Sequence, residues 1–205
     1  IGLILAAMAL VALFETIIPL HARSRWNELH LAPNLTLTFI TFATNLGLNI
    51  AIIAALAWLQ LAGVGLLNVV AVSPVLAALI VVFVLDFAFY VAHVTMHMVP
   101  VFWRFHSVHH SDPAVDVTTA IRQHPVEGLI RYGFIALFAV PLGAGPAAFA
   151  IYRGCSALNA LLEHANIRVP LWLDRALSWI TTWPYMHKVH HSRRQSETDS
   201  NYGNL

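Results

Sequence analysis

Long apolar runs dominate this chain, and short polar breaks divide them into elements. Residues 1–20 form a run of about spanning length interrupted only by Glu15, an acid expected to face a neighbour or the interface. Residues 21–33, with His21, Arg23, Arg25 and His30, make a polar connection. A second run at 35–61 carries Thr36, Thr38, Thr41 and Thr44, hydroxyls that bond back to the helix or pack against neighbours. After a loop at 63–73 without Lys or Arg, a third run covers 74–92. Residues 126–140 and 146–162 read as a helical hairpin around PLGAGP, each limb short for a full crossing, so that the pair crosses, re-enters or lies partly within the protein. Trp172, Trp179, Trp183 and Tyr185, interleaved with Asp174 and Arg175, mark an amphipathic segment at headgroup level. The pattern predicts an all-α membrane protein of about four to five transmembrane or re-entrant helices. They form a single membrane-embedded domain over 1–205, with helices at about 1–20, 35–61, 74–92 and 126–162. The start at Ile1 and the abrupt stop at Leu205 lead us to expect truncation at one or both ends.

Composition strengthens the membrane reading. The chain is 59% hydrophobic and 10% charged, against about 25% charged in soluble domains. A net charge of +1 argues against nucleic acid or another polyanion as partner. The single cysteine, Cys155, excludes both an internal disulfide and a thiolate-ligated cluster. Arginines collect in loop 21–33 and around the histidine-rich segments, while loop 63–73 has none. An even number of predicted spans separates the two basic regions, so they share a side, which the positive-inside rule makes cytoplasmic.

Those basic regions hold the candidate chemistry. HVTMHMVPVFWRFHSVHH places His93 and His97 four residues apart, then His106, His109 and His110. HKVHH repeats the second spacing at His187, His190 and His191. Positions i, i+3 and i+4 share one helix face, so each group can aim its imidazoles at one point. Neutral imidazole suits Zn, Cu, Fe and Ni. Eight clustered histidines exceed what one tetrahedral zinc uses, and two metal ions held close together are expected. His164, beside Glu163 at the end of an apolar helix, is a ninth candidate ligand. His124 precedes a proline, should be extended, and is a ligand or the partner of one. Asp86, Tyr90, His93 and His97 make a stripe at i, i+4, i+7 and i+11, so Asp86 is expected to accept the free ring N–H of a ligating histidine. His21 and His30 have no partners nearby in sequence and are left outside the site.

Taken in order, DFAFYVAHVTMH, WRFHSVHHSDP, RQHPVE, HANI and MHKVHHSRRQSETDSNYG resemble the fatty acid hydroxylase and sterol desaturase superfamily over residues 86–203, with histidine-box regions at 86–124 and 164–203. The chain departs from that pattern at Val94, where the family often has a basic residue. The resemblance implies an integral-membrane, non-haem di-iron oxidoreductase that uses O2 to hydroxylate or desaturate a lipid C–H bond in an acyl chain, sterol or related molecule. It makes His93, His97, His106, His109, His110, His187, His190 and His191 iron ligands and matches His164 to a further one, with zinc a possible substitute metal. Asp86 and Asp199 would balance the metal charge from outside. The chain has no GxGxxG, flavin site or cysteine cluster, so electrons are expected from a reductase, ferredoxin or cytochrome-like partner. Arg104, Lys188, Arg193 and Arg194 flank the boxes and would meet that donor or lipid headgroups, or serve only as positive-inside residues. The competing readings are a non-redox membrane zinc protein, although HExxH is absent, and a haem protein, whose two axial ligands would leave six histidines unexplained.

Overall fold

The computed structural model describes residues 1–22 and 29–205; Arg23 and Arg25 lie outside the described residues. The long helices are α1 (Gly2–Ile17), α2 (Leu31–Leu61), α4 (Pro74–Met98), α6 (Pro125–Leu142) and α7 (Pro146–His164). Short helices join or extend them: α3 (Leu66–Val69), α5 (Pro100–His110), α8 (Leu171–Leu177), α9 (Pro184–His190) and α10 (Gln195–Thr198), with a 3-10 turn at Thr119–Ile121. Apart from an isolated bridge between Pro19 and Ile167, regular structure among the described residues is helical. Leu31–Val69, Pro74–Met98 and Pro125–Leu142 are long and apolar enough to cross a membrane. The protein is an all-α membrane protein.

Proline sets most of the helix starts. α4, α5, α6, α7 and α9 all begin with Pro at the first helical position, where its missing N–H costs nothing and its φ is already helical. Pro100 also holds Val99 extended, which ends α4 and turns the chain into α5 between the first and second histidine groups. At the far end of the molecule, Gly143 closes α6 in the left-handed region at φ 71°. Gly65, at φ 105°, packs directly on it: a Cβ there would lie 2.3 Å from the Cα of Gly143. Only glycine permits that backbone approach.

The interior has two parts. Leu56 of α2, Val81 and Leu85 of α4, Ile135 and Ala139 of α6, and Phe149 and Tyr152 of α7 form one core. Met8 and Val11 of α1 meet Val117, Ile121, Leu161 and Ala165 in the other. Phe83, Leu79, Leu137 and Leu61 point outward, as they would toward lipid. Trp172, on the short amphipathic α8, and Trp179, just beyond it, are also exposed.

One boundary differs from the sequence reading, and Glu15 meets the neighbours expected of it. The third helix does not stop at residue 92 but runs to Met98, so His93 and His97 ride on a spanning helix. Glu15 is buried, and its Oε1 accepts N–H bonds from Val117 and Asn166, both at 2.8 Å. It therefore clips α1 to the chain following the second histidine group and to the chain following α7.

Candidate metal centre

Four elements converge on one end of the α4–α6–α7 bundle. α4 brings His93 and His97, α5 brings His106, His109 and His110, α7 ends on His164, and α9 with its C-cap brings His187, His190 and His191. The nine side chains sort into two groups. His93, His97, His106, His110 and His190 form one; His109, His164, His187 and His191 form the other. Within each group the candidate ligand nitrogens lie within 4.8 Å of one another. α5 and α9 each serve both groups, which couples the two halves of the site.

Hydrogen bonds behind the rings fix which nitrogen faces inward. Nδ1 of His93 donates to the Tyr202 carbonyl at 3.0 Å, Nδ1 of His190 to Ser200 O at 2.6 Å, Nδ1 of His109 to Arg122 O at 3.2 Å, and Nδ1 of His164 to Ala160 O at 2.7 Å. A carbonyl only accepts, so each of these neutral rings carries its proton on Nδ1 and turns a bare Nε2 lone pair inward. Nδ1 of His97 meets Asp199 Oδ1 at 3.2 Å, and the Glu127 carboxylate lies 3.3 Å from Nδ1 of His106.

The inward nitrogens crowd one another. Nε2 of His164 lies 3.1 Å from that of His109, 3.0 Å from that of His187 and 3.2 Å from that of His191. His106 and His110 approach to 3.2 Å in the same way. Nε2 of His93, His97 and His190 is buried without a hydrogen-bond partner. Lone pairs at such distances repel unless a cation lies between them. Two nitrogens bound to one ion at about 2.1 Å stand about 3.0–3.4 Å apart, and the observed spacings match. The residues therefore fit two metal ions. Protonation agrees: burial, reinforced by neighbouring imidazoles, pushes His109, His110, His187 and His191 well below 6.5 and His190 to about 3. All five are neutral at pH 7, the form that ligation requires.

Three expectations need correction. Asp86 touches no histidine; its Oδ1 accepts the Leu205 N–H at 3.2 Å. Seven residues along α4 amount to about 10 Å of rise, too far for its carboxylate to reach the His93 ring. Asp86 instead tethers the segment whose Ser200 and Tyr202 carbonyls orient His190 and His93. His124 is extended as predicted but belongs to neither group: its Nδ1 accepts the Val126 N–H at 3.1 Å and caps α6. Lys188 is not a free docking charge, because its Nζ donates to Val115 O and His164 O, both at 3.0 Å. Burial lowers its pKa to about 8. Arg104, Arg193 and Arg194 remain exposed.

The sequence reading missed Glu127 as a site residue. It is buried, bonded to Arg131 at 2.5 Å, and stands behind His106. Its signal was an i, i+4 acid–base pair inside an apolar helix. Glu163, noticed only as a neighbour, places Oε1 3.6 Å from Nδ1 of His164 and 3.8 Å from Nε2 of His187. Carboxylates behind metal-binding imidazoles raise ligand basicity, and their loss typically costs 10–100-fold in metal affinity. Glu127→Gln is accordingly expected to lower metal affinity by about 10–100-fold without unfolding α6, as read by competition with a chelator.

A second buried polar cluster backs the site. Asp112 accepts from Nδ1 of His30 at 2.8 Å, Asn34 Nδ2 at 2.6 Å, Thr119 Oγ1 at 2.6 Å and the Ala114 N–H at 3.1 Å. Arg122 links this cluster to α5 by donating to Asn34 Oδ1, Val108 O and Ser111 Oγ. Its own carbonyl holds His109. His30 is thus not a ligand but an anchor for one, while His21 is exposed and meets Asn166 through its backbone, donating its N–H to Oδ1 and accepting from Nδ2 at its carbonyl.

Comparison with known proteins places this arrangement. The chain is similar to alkylglycerol monooxygenase of Caenorhabditis elegans, 30% identical over 122 residues covering 58% of this chain and 23% of that protein. The human alkylglycerol monooxygenase is 30% identical over 123 residues, covering 58% and 26%. Ornithine lipid hydroxylase OlsE of Rhizobium tropici is 33% identical over 121 residues, covering 58% and 35%. The chain thus spans about a quarter to a third of the length of the curated relatives it matches. No solved structure matches it. The profile of the fatty acid hydroxylase family matches residues 78–205, which contain all nine histidines of the two groups. The chain belongs to the fatty acid hydroxylase family.

Proposed function

We propose that the chain is the membrane-embedded domain of an oxygen-dependent monooxygenase that hydroxylates, or by the same hydrogen removal desaturates, a C–H bond of a lipid at a non-haem di-iron centre. The observation that carries this reading is the pairing of two all-imidazole groups, five and four strong, against an apolar-walled cavity that five of these histidines line. The names of the relatives, both lipid-oxidising, support it. Two irons held by these histidines would pass electrons from an external donor to O2 and so supply the oxidising power that breaking an unactivated C–H bond demands.

The chain's own residues do the rest. His93, His97, His106, His110 and His190 hold one ion; His109, His164, His187 and His191 hold the other. Ring N–H bonds to backbone carbonyls fix the tautomers of His93, His109, His164 and His190 before any metal arrives. Imidazole ligands are neutral, so Asp199, Glu127 and Glu163 offset the metal charge from behind. The cavity, about 340 Å³, has His93, His106, His109, His164 and His187 at one end and Phe89, Met96 and Phe149 along its walls. Those apolar side chains orient the hydrocarbon and exclude water from the reacting carbon. Electrons come from a separate donor, for which the exposed Arg104, Arg193 and Arg194 offer a cationic docking face on the cytoplasmic side.

Metal analysis tests this. Protein purified from membranes without added zinc should hold about two irons per chain, show an iron X-ray absorption edge, and oxidise a bound lipid only when O2 and reductant are both supplied. Zinc under iron-replete expression, with no oxygen-dependent turnover, would overturn the redox reading in favour of a membrane zinc protein.

A further inference from the structure

The far part of that cavity holds a charge the chain itself does not answer. Arg153 lies on α7, eleven residues before His164, which is about 16 Å along the helix axis. Its Cζ stands 4.8 Å from the centroid of the Tyr132 ring, and its Nε is buried without a hydrogen-bond partner. Among the described residues no carboxylate pairs with it. Arg131, the other arginine of the cavity, is by contrast bonded to Glu127. The residue as a whole is half-buried, so the aromatic face and the surroundings meet only part of what its guanidinium needs.

The rest of the cavity says which way a ligand lies. Ala150, Gly154, Ala157 and Ala160 follow one face of α7 and all line the space. Their small side chains keep the α7 wall of the cavity apolar and low beside the stretch from Arg153 to His164. At the histidine end Arg131 is already paired with Glu127, whereas no carboxylate among the described residues answers Arg153, so Arg153 is the side-chain cation left to take an anion. At about 340 Å³ the cavity is at the low end of ligand sites, about 300–1,000 Å³, and suits one chain rather than two.

We propose that the cavity binds a single-chain amphiphile by its anionic end, with a carboxylate or phosphate held by Arg153 and the hydrocarbon laid along the small-residue face of α7 toward His164. Guanidinium forms bidentate, charge-assisted hydrogen bonds with either oxyanion. This deepens the reading of the centre as a lipid-oxidising site and rests on it for what happens at the far end of the chain. Arg153 is a substrate-binding residue in this scheme, and it sets which carbon reaches the histidines.

The test is binding without turnover. The full chain in phosphatidylcholine nanodiscs is equilibrated, anaerobically and without reductant, with radiolabelled hexadecanoate, hexadecyl phosphate or hexadecanol, and retention on empty discs is subtracted. At least one anion should bind about tenfold or more tighter than the alcohol, the difference expected for a hydrogen bond to a charged group. Arg153→Gln should erase that preference while leaving hexadecanol binding and metal content as in the wild type, and Arg153→Lys should keep part of it. Arg168→Gln, a change at the exposed surface, should alter neither anion preference nor metal content. Whichever anion binds tighter identifies the source as a free fatty acid or a phosphate monoester. Equal affinity of anions and alcohol for the wild-type protein would overturn the proposal whether or not the variants fold. So would a preference that survives Arg153→Gln. Either result leaves the iron and oxygen measurements standing, so failure here is separable from failure of the redox reading.

Discussion

His190→Ala is expected to abolish turnover and strip metal from the chain while the protein still inserts into membranes. The residue is fully buried, its Nδ1 is committed to Ser200, and its Nε2 has no partner within the protein. It belongs to the five-membered group and sits on α9, beside the two ligands that α9 gives the other group. Removing it opens one ion's coordination and loosens the element that serves the second. The loss should exceed the roughly 10–100-fold typical of removing a group behind a ligand. α9 lies outside the three membrane-crossing segments, so insertion is unaffected. Metal per chain and oxygen-dependent turnover are the measurements, with His21→Ala as the control expected to change neither. Near-normal activity in the His190 variant would remove the metal assignment.

Asp112→Ala should give the largest loss of stability. Four donors converge on this carboxylate, from His30, Asn34, Thr119 and Ala114, and a methyl group would leave them buried and unanswered. Breaking a buried ion pair by deleting one partner costs about 3–5 kcal/mol. The damage reaches the metal site too, because Asn34 also holds Arg122, whose carbonyl orients His109. The pair makes stability depend on pH in a specific direction. Asp112 raises the pKa of His30 above its usual 6.5, with Asp116 adding to the effect and burial and Arg122 opposing it. The stability this contributes is complete below pH 6.5 and is lost as pH rises through the raised value. Hydrogen bonds from His30 and Thr119 outweigh burial and hold Asp112 below its usual 3.8, so its contribution is complete above that value and is lost as pH falls through the depressed one. Unfolding followed in denaturant should show both contributions intact between about pH 4 and 6.5. In Asp112→Ala the His30 part of that dependence should vanish. A variant that unfolds at the wild-type midpoint at pH 6 would sink this account.

How much of this could be read from residue order alone depends on the distance over which each feature acts. The crossing segments and histidine groups were legible because both depend on spacing within one helix. The division into five and four was not. α5 and α9 each split their imidazoles between the two groups, and that follows from how the helices are rotated against one another. The stripe Asp86, Tyr90, His93, His97 had the correct face but too long a reach, and the atoms that do orient His93 and His190 are carbonyls of Tyr202 and Ser200. A backbone carbonyl leaves no trace in residue type. His30 was set aside for want of neighbours, yet its partner Asp112 stands 82 positions away. Lys188 looked like surface charge until its two carbonyl partners were placed.

The tether between Asp86 and Leu205 has a consequence for assembly. Ser200 and Tyr202 complete the setting of His190 and His93, and they follow Leu31–Val69, Pro74–Met98 and Pro125–Leu142 in the order of synthesis. When the helices have been inserted, the histidines of α4 and α5 are in place but the wall behind them is not. A metal ion would have its entry through that gap until residues 199–205 dock. Residues 199–205 would serve as the door of the metal site, so loading belongs to the interval between insertion of these helices and closure.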